Sequence, residues 1–335
     1  MDNQNVIRAE ALVKTFRDFW RRPKVAAVQG IDFEVRRGEV FGLLGPNGSG
    51  KSTTLKMILG LLYPTRGRLS VLGDSPRVVK TKSRIGYLPE ESYLYPYLTL
   101  AETLGFYGNL FDLSPAERRE RIEQLLKMSG LQHARHRRVG EFSKGMARRI
   151  GIAQALINDP DLVVLDEPTS GLDPLGCRQI KDLILTLARR GKTVLLSSHL
   201  LADVEDICDR VAILYNGKIQ AIGSIKSLLE ERRQIRFTLP ELPPAGMKSL
   251  LESLRALVGS EPQVEHPRRN LEQFFLEVVE QARKQAVEQT GVTTGNVADY
   301  LVEGPARSET AVTAEDPDAK LKSILADKTD PSVKK

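Results

Sequence analysis

The stretch "GPNGSGKST", residues 45–53, constrains the chain more than any other. It satisfies G-x-x-x-x-G-K-[ST] and lies between the apolar run "EVFGLL" and the helical pattern "STTLKMILGLL", the strand–loop–helix setting this motif needs. Gly45, Gly48 and Gly50 allow the backbone to turn its N–H groups toward phosphates at the positive end of a helix. Lys51 brings a point charge to β and γ phosphate oxygens, and the Ser52 hydroxyl is placed to ligate magnesium. Pro46, Asn47, Ser49 and Thr53 complete the wall. The expectation is a nucleotide site on an α/β fold.

The rest of the chain to about residue 230 supports that class. "EVFGLLG" (39–45), "RIGYLP" (84–89), "DLVVLDE" (161–167), "KTVLLSS" (192–198) and "RVAILYN" (210–216) read as strands, several of them apolar on both faces. Helical patterns between them predict an α/β fold with a mostly parallel central sheet, which with the 45–53 motif makes a P-loop NTPase the expected class. Residues 6–35 alternate like antiparallel strands and predict an N-terminal antiparallel β subdomain. Residues 98–157 lose the strand signal and predict an inserted helical subdomain. Its segment "SPAERRERIEQLLKMSGL" starts on Ser-Pro and repeats apolar side chains at Ile122, Leu125, Leu126 and, loosely, Met128. The expected division is an ATP-binding domain over 1–230, a small α+β C-terminal extension over 231–287, and a flexible tail over 288–335. "NLEQFFLEVVEQARKQAVEQ" is the helix of the extension, and the tail is rich in Thr, Glu, Asp, Lys, Ala and Pro.

Bulk properties narrow the compartment. The chain has 335 residues, 41% hydrophobic and 27% charged, with no apolar run long enough to cross a bilayer. "MDNQNVIRAEALVK" lacks a signal-peptide core, so a cytoplasmic protein is expected. Cys177 and Cys208 lack metal-ligand spacing and are expected as reduced thiols. A net charge of +6 permits anionic partners without requiring them, and the basic run "ARHRRVG" (134–140) reads as a solvated face.

Two further features carry chemistry. "LVVLDE" ends in Asp166 and Glu167 at the carboxyl edge of a buried strand, where open α/β sheets bind ligands. Following a P-loop, Asp166 is the metal-side carboxylate and Glu167 the general base for an attacking water. The adjacent strand ends at His199, which can touch the γ-phosphate or orient the water. "FSKGM" (142–146) opens an amphipathic helix with Ser143 as its cap and Met146, Ile150, Ala153, Leu156 and Ile157 as one stripe, leaving Arg148 and Arg149 off it. That helix start is an anion site about 90 residues from the phosphate loop, which points to the nucleotide of a second copy of the chain.

Six motifs in this order resemble the nucleotide-binding subunit of an ABC transporter over residues 6–230. They are "GPNGSGKST", "GYLPEE", "FSKGM" in place of LSGGQ, "LVVLDEP", "SGLD" and "SSH". The resemblance implies ATP and magnesium as ligands, with Ser52, Glu90 and Asp166 at the metal. It implies that Ser143 and Gly145 contact the γ-phosphate held by the opposite subunit, and that Asp173 couples the two sites. Lys144, Met146 and Glu90 depart from the family's usual glycine and two glutamines, in the manner of the export-type branch, whose membrane subunit is a separate polypeptide. Phe16 best matches the adenine-stacking aromatic, with Phe19 and Trp20 as alternatives. The implied partners are a second copy and a multi-span permease, the latter docking on Tyr87–Phe111, which holds seven of the 19 aromatics. The resemblance places the protein on the cytoplasmic face of the membrane. A soluble ABC-type ATPase acting on nucleic acid or ribosomes is the alternative, consistent with a pI near 9.2. The single nucleotide domain and the lack of basic–aromatic interleaving argue against a specific nucleic-acid partner. An ATP-gated adaptor is the third, opposed by Glu167 and His199.

Overall fold

The computed structural model describes residues 4–20, 23–91, 93–230 and 243–258. The elements run β1 (Asn5–Arg17), β2 (Pro23–Arg36), β3 (Val40–Leu44), α1 (Lys51–Ile58), β4 (Arg66–Val71), α2 (Val79–Lys82), β5 (Ile85–Leu88), α3 (Leu100–Leu110), α4 (Pro115–Met128) and α5 (Lys144–Leu156). They continue with β6 (Leu162–Asp166), α6 (Pro174–Arg189), β7 (Thr193–Ser198), α7 (Leu201–Glu205), β8 (Arg210–Tyr215), β9 (Lys218–Ser224), α8 (Ile225–Leu229) and α9 (Pro244–Val258).

Two sheets result. β2, β1 and β4 make an antiparallel sheet in that order, as the alternation over residues 6–35 predicts for its first two strands. The larger sheet has the order β5-β6-β7-β3-β8-β9, parallel except for the β8–β9 hairpin. Its apolar strands are apolar on both faces because both faces are covered. Val40 and Leu44 of β3, Val163 and Leu165 of β6, and Val194 and Leu196 of β7 enter one core with the helical residues Leu125, Ile150 and Ile184. Phe41 and Leu43, Leu162 and Val164, and Leu195 enter a second core with α1 and the antiparallel sheet. Each fully buried Leu or Ile is worth about 2 kcal/mol of transfer free energy.

The helical insertion forms as its start signals dictate. Thr99 and Glu102 close a reciprocal capping box on α3, and Ser114 caps α4 ahead of Pro115. Ile122, Leu125 and Leu126 are buried as the periodicity requires, and Met128 is half-buried against the same core. In the basic run 134–140, His136, Arg137 and Arg138 are exposed as a solvated face requires, and Arg135 pairs with Glu123 and Arg137 with Glu141 at 3.1 Å on that surface.

Two strands escaped the sequence reading. β4, "RGRLSV", is polar and largely exposed, and β9, "KIQAIGS", alternates only weakly. The hairpin signal for β9 was nonetheless present: Asn216-Gly217 both take positive φ, 49° and 73°, as a tight β-turn demands. Residues up to Ile225 form one compact unit, and the described residues from Lys226 onward, with α9, belong to a second. The expected extension helix and the tail beyond 288 lie outside the described residues.

Candidate nucleotide site

All parallel strands point their carboxyl ends to one edge, so the loops after β3, β5, β6 and β7 meet there. After β3 the chain turns at Gly45, φ 153°, where an added Cβ would lie 2.2 Å from the carbonyl oxygen of Leu214. At Gly50, φ 106°, a Cβ would lie 2.5 Å from the carbonyl oxygen of Ala27. The loop is thus pressed between backbone from β8 and β2, and only glycine fits at either contact. α1 begins at once with no acidic residue in its first turn and no side-chain cap, so no carboxylate of its own first turn competes for its N–H groups.

Lys51 is buried at 6% exposure. Its Nζ donates to Gly45 O at 2.6 Å and Pro46 O at 3.3 Å, and lies 3.5 Å from Glu167 Oε1. A buried ammonium needs such oxygens, and phosphate oxygens are equivalent acceptors. Among the described residues, Ser49 Oγ is the buried side-chain polar atom without a hydrogen-bond partner, and it sits inside this loop. An orphaned hydroxyl beside a lysine held by carbonyls fits a polyanion-binding cradle.

The strand ends supply the carboxylates. Asp166 and Glu167 are both about 5% exposed and face different partners. The Ser197 hydroxyl donates to Asp166 Oδ1, while the Glu167 N–H donates to Ser197 Oγ at 3.0 Å. Glu167 has φ 49°, unusual for a residue with a Cβ. Its carboxylate lies between Lys51 and His199, whose Nδ1 is 2.8 Å from Oε2. Burial and the charge of Asp166 push the Tyr87 phenol up to about 12.

Sequence reasoning put Arg148 off the apolar stripe of α5, yet it is 5% exposed and donates to five backbone carbonyls at the ends of β5 and β6. The missed signal is a second stripe. Arg148, Gly151, Ile152 and Ala155 follow helical spacing, and all four are buried, so α5 is covered on two sides.

The remaining predicted residues lie more openly. Glu90 is exposed in the loop after β5, Ser52 is half-buried on α1, and Thr53 lies beside it. Ser143 caps α5 by accepting the Met146 N–H at 3.3 Å, and Asp173 caps α6 by accepting the Gly176 N–H at 2.8 Å. A Cβ on Gly145 would lie 3.8 Å from Leu172, so the start of α5 and the Asp173 turn are neighbours. Phe16, on β1 opposite Val25, is 38% exposed with Lys14 Nζ 5.3 Å from its ring centre. Phe19 and Trp20 stack edge-to-face on each other in the turn beyond. The Cys177 thiol donates to the Thr169 carbonyl at 3.6 Å, and burial pushes the Cys208 thiol well up.

The ABC transporter family matches residues 28–170. An uncharacterized ABC transporter ATP-binding protein of Synechocystis sp. is 46% identical over 228 residues, covering 67% of this chain and 64% of the relative. The chain therefore spans somewhat less than two thirds of that relative's length. A fluoroquinolones export ATP-binding protein of Mycobacterium tuberculosis is 44% identical over 223 residues, covering 65% of this chain and 73% of the relative. A solved ATP-binding cassette, dimeric in a post-hydrolysis state with ADP and Pi, superposes with a TM-score of 0.60 at 27% identity, covering 65% of this chain and 98% of that one. With the phosphate loop, the paired strand-end carboxylates and these similarities together, the chain belongs to the family of ABC transporter ATP-binding subunits.

Proposed function

We propose that residues 1–230 form an ATP-hydrolysing domain that dimerises around two Mg-ATP and drives a separate membrane permease. The observation that carries the reading is the Glu167 carboxylate, buried between Lys51 and His199 at the mouth of the phosphate loop. Lys51 exchanges its present oxygen acceptors for β and γ phosphate oxygens. Glu167 takes the proton of the attacking water, and His199 holds that carboxylate in orientation. Ser52, Asp166 and Glu90 offer oxygen donors of the kind magnesium prefers. The metal would neutralise charge on the phosphates when bound.

Ser143 and Gly145 at the start of α5 lie on an exposed surface with Asp173, open to the phosphates held by a second copy. The dimeric cassette among the solved relatives supports that arrangement. Tyr93, Tyr95, Tyr97 and Phe106 are exposed in or beside the loop after β5, with Tyr95 stacked edge-to-face on Phe106. Such aromatics fit the core of a protein interface, and the permease is the partner we assign to them. Among the described residues no helix is long and apolar enough to cross a membrane, which suits a subunit held on the cytoplasmic face by that partner. The export name of the Mycobacterium relative favours outward transport.

Steady-state ATP hydrolysis by the full chain tests the reading. Glu167→Gln is expected to lower turnover by at least about 100-fold. Undiminished hydrolysis in that variant would remove Glu167 from the base role.

A further inference from the structure

Arg148 is a buried guanidinium whose hydrogen bonds all run to main-chain oxygens. Nε donates to Pro168 O at 3.1 Å, Nη1 to Pro89 O at 2.5 Å and Glu90 O at 2.8 Å, and Nη2 to Asp166 O and, at 2.6 Å, to Glu167 O. Burying a guanidinium is costly, and its desolvation here brings Arg148 down to about 10. An apolar side chain would fill the same space without that cost. What the charge secures is therefore the five carbonyls.

Those carbonyls lie where the sheet stops holding the chain. The β5–β6 ladder ends at Leu88 opposite Leu165, and the β6–β7 ladder at Asp166 opposite Ser197. Pro89 and Pro168 follow, and neither has an N–H to donate. Just before Pro168 stands Glu167 at positive φ, a conformation that persists only when its surroundings over-determine it. Ser197 holds its N–H, and Arg148 holds its carbonyl and those of both neighbours. The planar fork suits this task because its five N–H donors are fixed relative to one another.

We propose that Arg148 is a positioning residue for ATP hydrolysis: it aims the Glu167 carboxylate by clamping the carbonyls of Asp166, Glu167 and Pro168, and locks the Glu90 loop into the same frame. The proposal rests on the reading of Glu167 as general base. Arg148 is borne on α5, whose first turn carries Gly145, so a shift of that helix is passed directly to the carboxylate.

The full chain carrying Arg148→Gln, Arg148→Lys, Glu167→Gln or Arg148→Gln with Glu167→Gln decides the matter, after circular dichroism has shown each to be folded. Arg148→Gln is expected to lower kcat about 100-fold with KM changed less than about threefold, the signature of a misaimed group rather than lost binding. Arg148→Lys keeps the charge but has only three donors, and is expected to lose about tenfold. Added to Glu167→Gln, Arg148→Gln is expected to cost less than about twofold more, because both act through one carboxylate. Hydrogen exchange without nucleotide is expected to quicken about tenfold in segments 85–91 and 166–170 of both Arg148 variants, and to stay unchanged in 40–44. A kcat within twofold of wild type, a loss confined to KM, full additivity with Glu167→Gln, or unchanged exchange in both segments would overturn the clamp. Wild-type turnover in Glu167→Gln would overturn the base reading instead, while the exchange comparison still decides for or against the clamp.

Discussion

His199 Nδ1 lies 2.8 Å from Glu167 Oε2, and the backbone N–H of the same histidine points to that oxygen at 3.3 Å. A carboxylate is acceptor-only, so the ring must carry a proton on Nδ1, leaving Nε2 as the acceptor in the neutral tautomer. The imidazole fixes one oxygen of Glu167 while Lys51 faces the other. His199→Ala is expected to reduce kcat about 100-fold with little change in KM, measured by coupled-enzyme assay. An effect on KM alone would assign His199 to binding.

The phosphate loop has no room for a side chain at its first glycine. Gly45→Ala sets a Cβ against the Leu214 carbonyl at a positive φ, so the loop or β8 must move. The expected result is a cost of at least about 2 kcal/mol in denaturant unfolding, together with loss of nucleotide binding. Wild-type stability and binding would show that the loop is not held by β8.

Tyr87 gives a pH test of the site's surroundings. Its phenol is pushed up to about 12 by burial and by Asp166, so the fold favours the neutral form. The stability this confers is complete below about pH 10 and is lost as pH rises through about 12. Absorbance titration of tyrosinate is expected to show a transition near pH 12 that Tyr87→Phe removes. If Tyr87→Phe removes a transition near pH 10 instead, the phenol is not shielded.

How much of this could be read beforehand depends on what each residue touches. The phosphate loop and the Asp166-Glu167 strand end are legible because their chemistry resides in side-chain types at short spacing. β3, β6 and β7 are legible because strands covered on both faces must be apolar throughout. Arg148 is not legible in the same way. Its partners are carbonyls of residues 18 to 59 positions away, and a carbonyl is present at every residue whatever the side chain. β4 is hidden for another reason: Arg66, Gly67 and Arg68 are exposed and only Leu69 and Val71 reach the core, too short a stretch to set a period of two.

The exposed aromatics after β5 make a different prediction. Tyr93 and Tyr97 are about four-fifths exposed, so their loss removes little folded-state packing. Tyr93→Ala with Tyr97→Ala is expected to change stability by less than about 0.5 kcal/mol each and leave ATP affinity intact. Co-purification of the permease from membranes is expected to fall. Unchanged recovery of the permease would place its docking surface elsewhere.

The central claim is that two copies close on ATP. Sedimentation velocity of Glu167→Gln with Mg-ATP is expected to give a species of twice the 37.3 kDa chain, and a monomer with ADP or without nucleotide. Adding Ser143→Arg, which sets a bulky side chain at the start of α5, is expected to abolish the dimer while leaving ATP bound. A monomer that persists with ATP bound, or a dimer indifferent to nucleotide, would contradict the account.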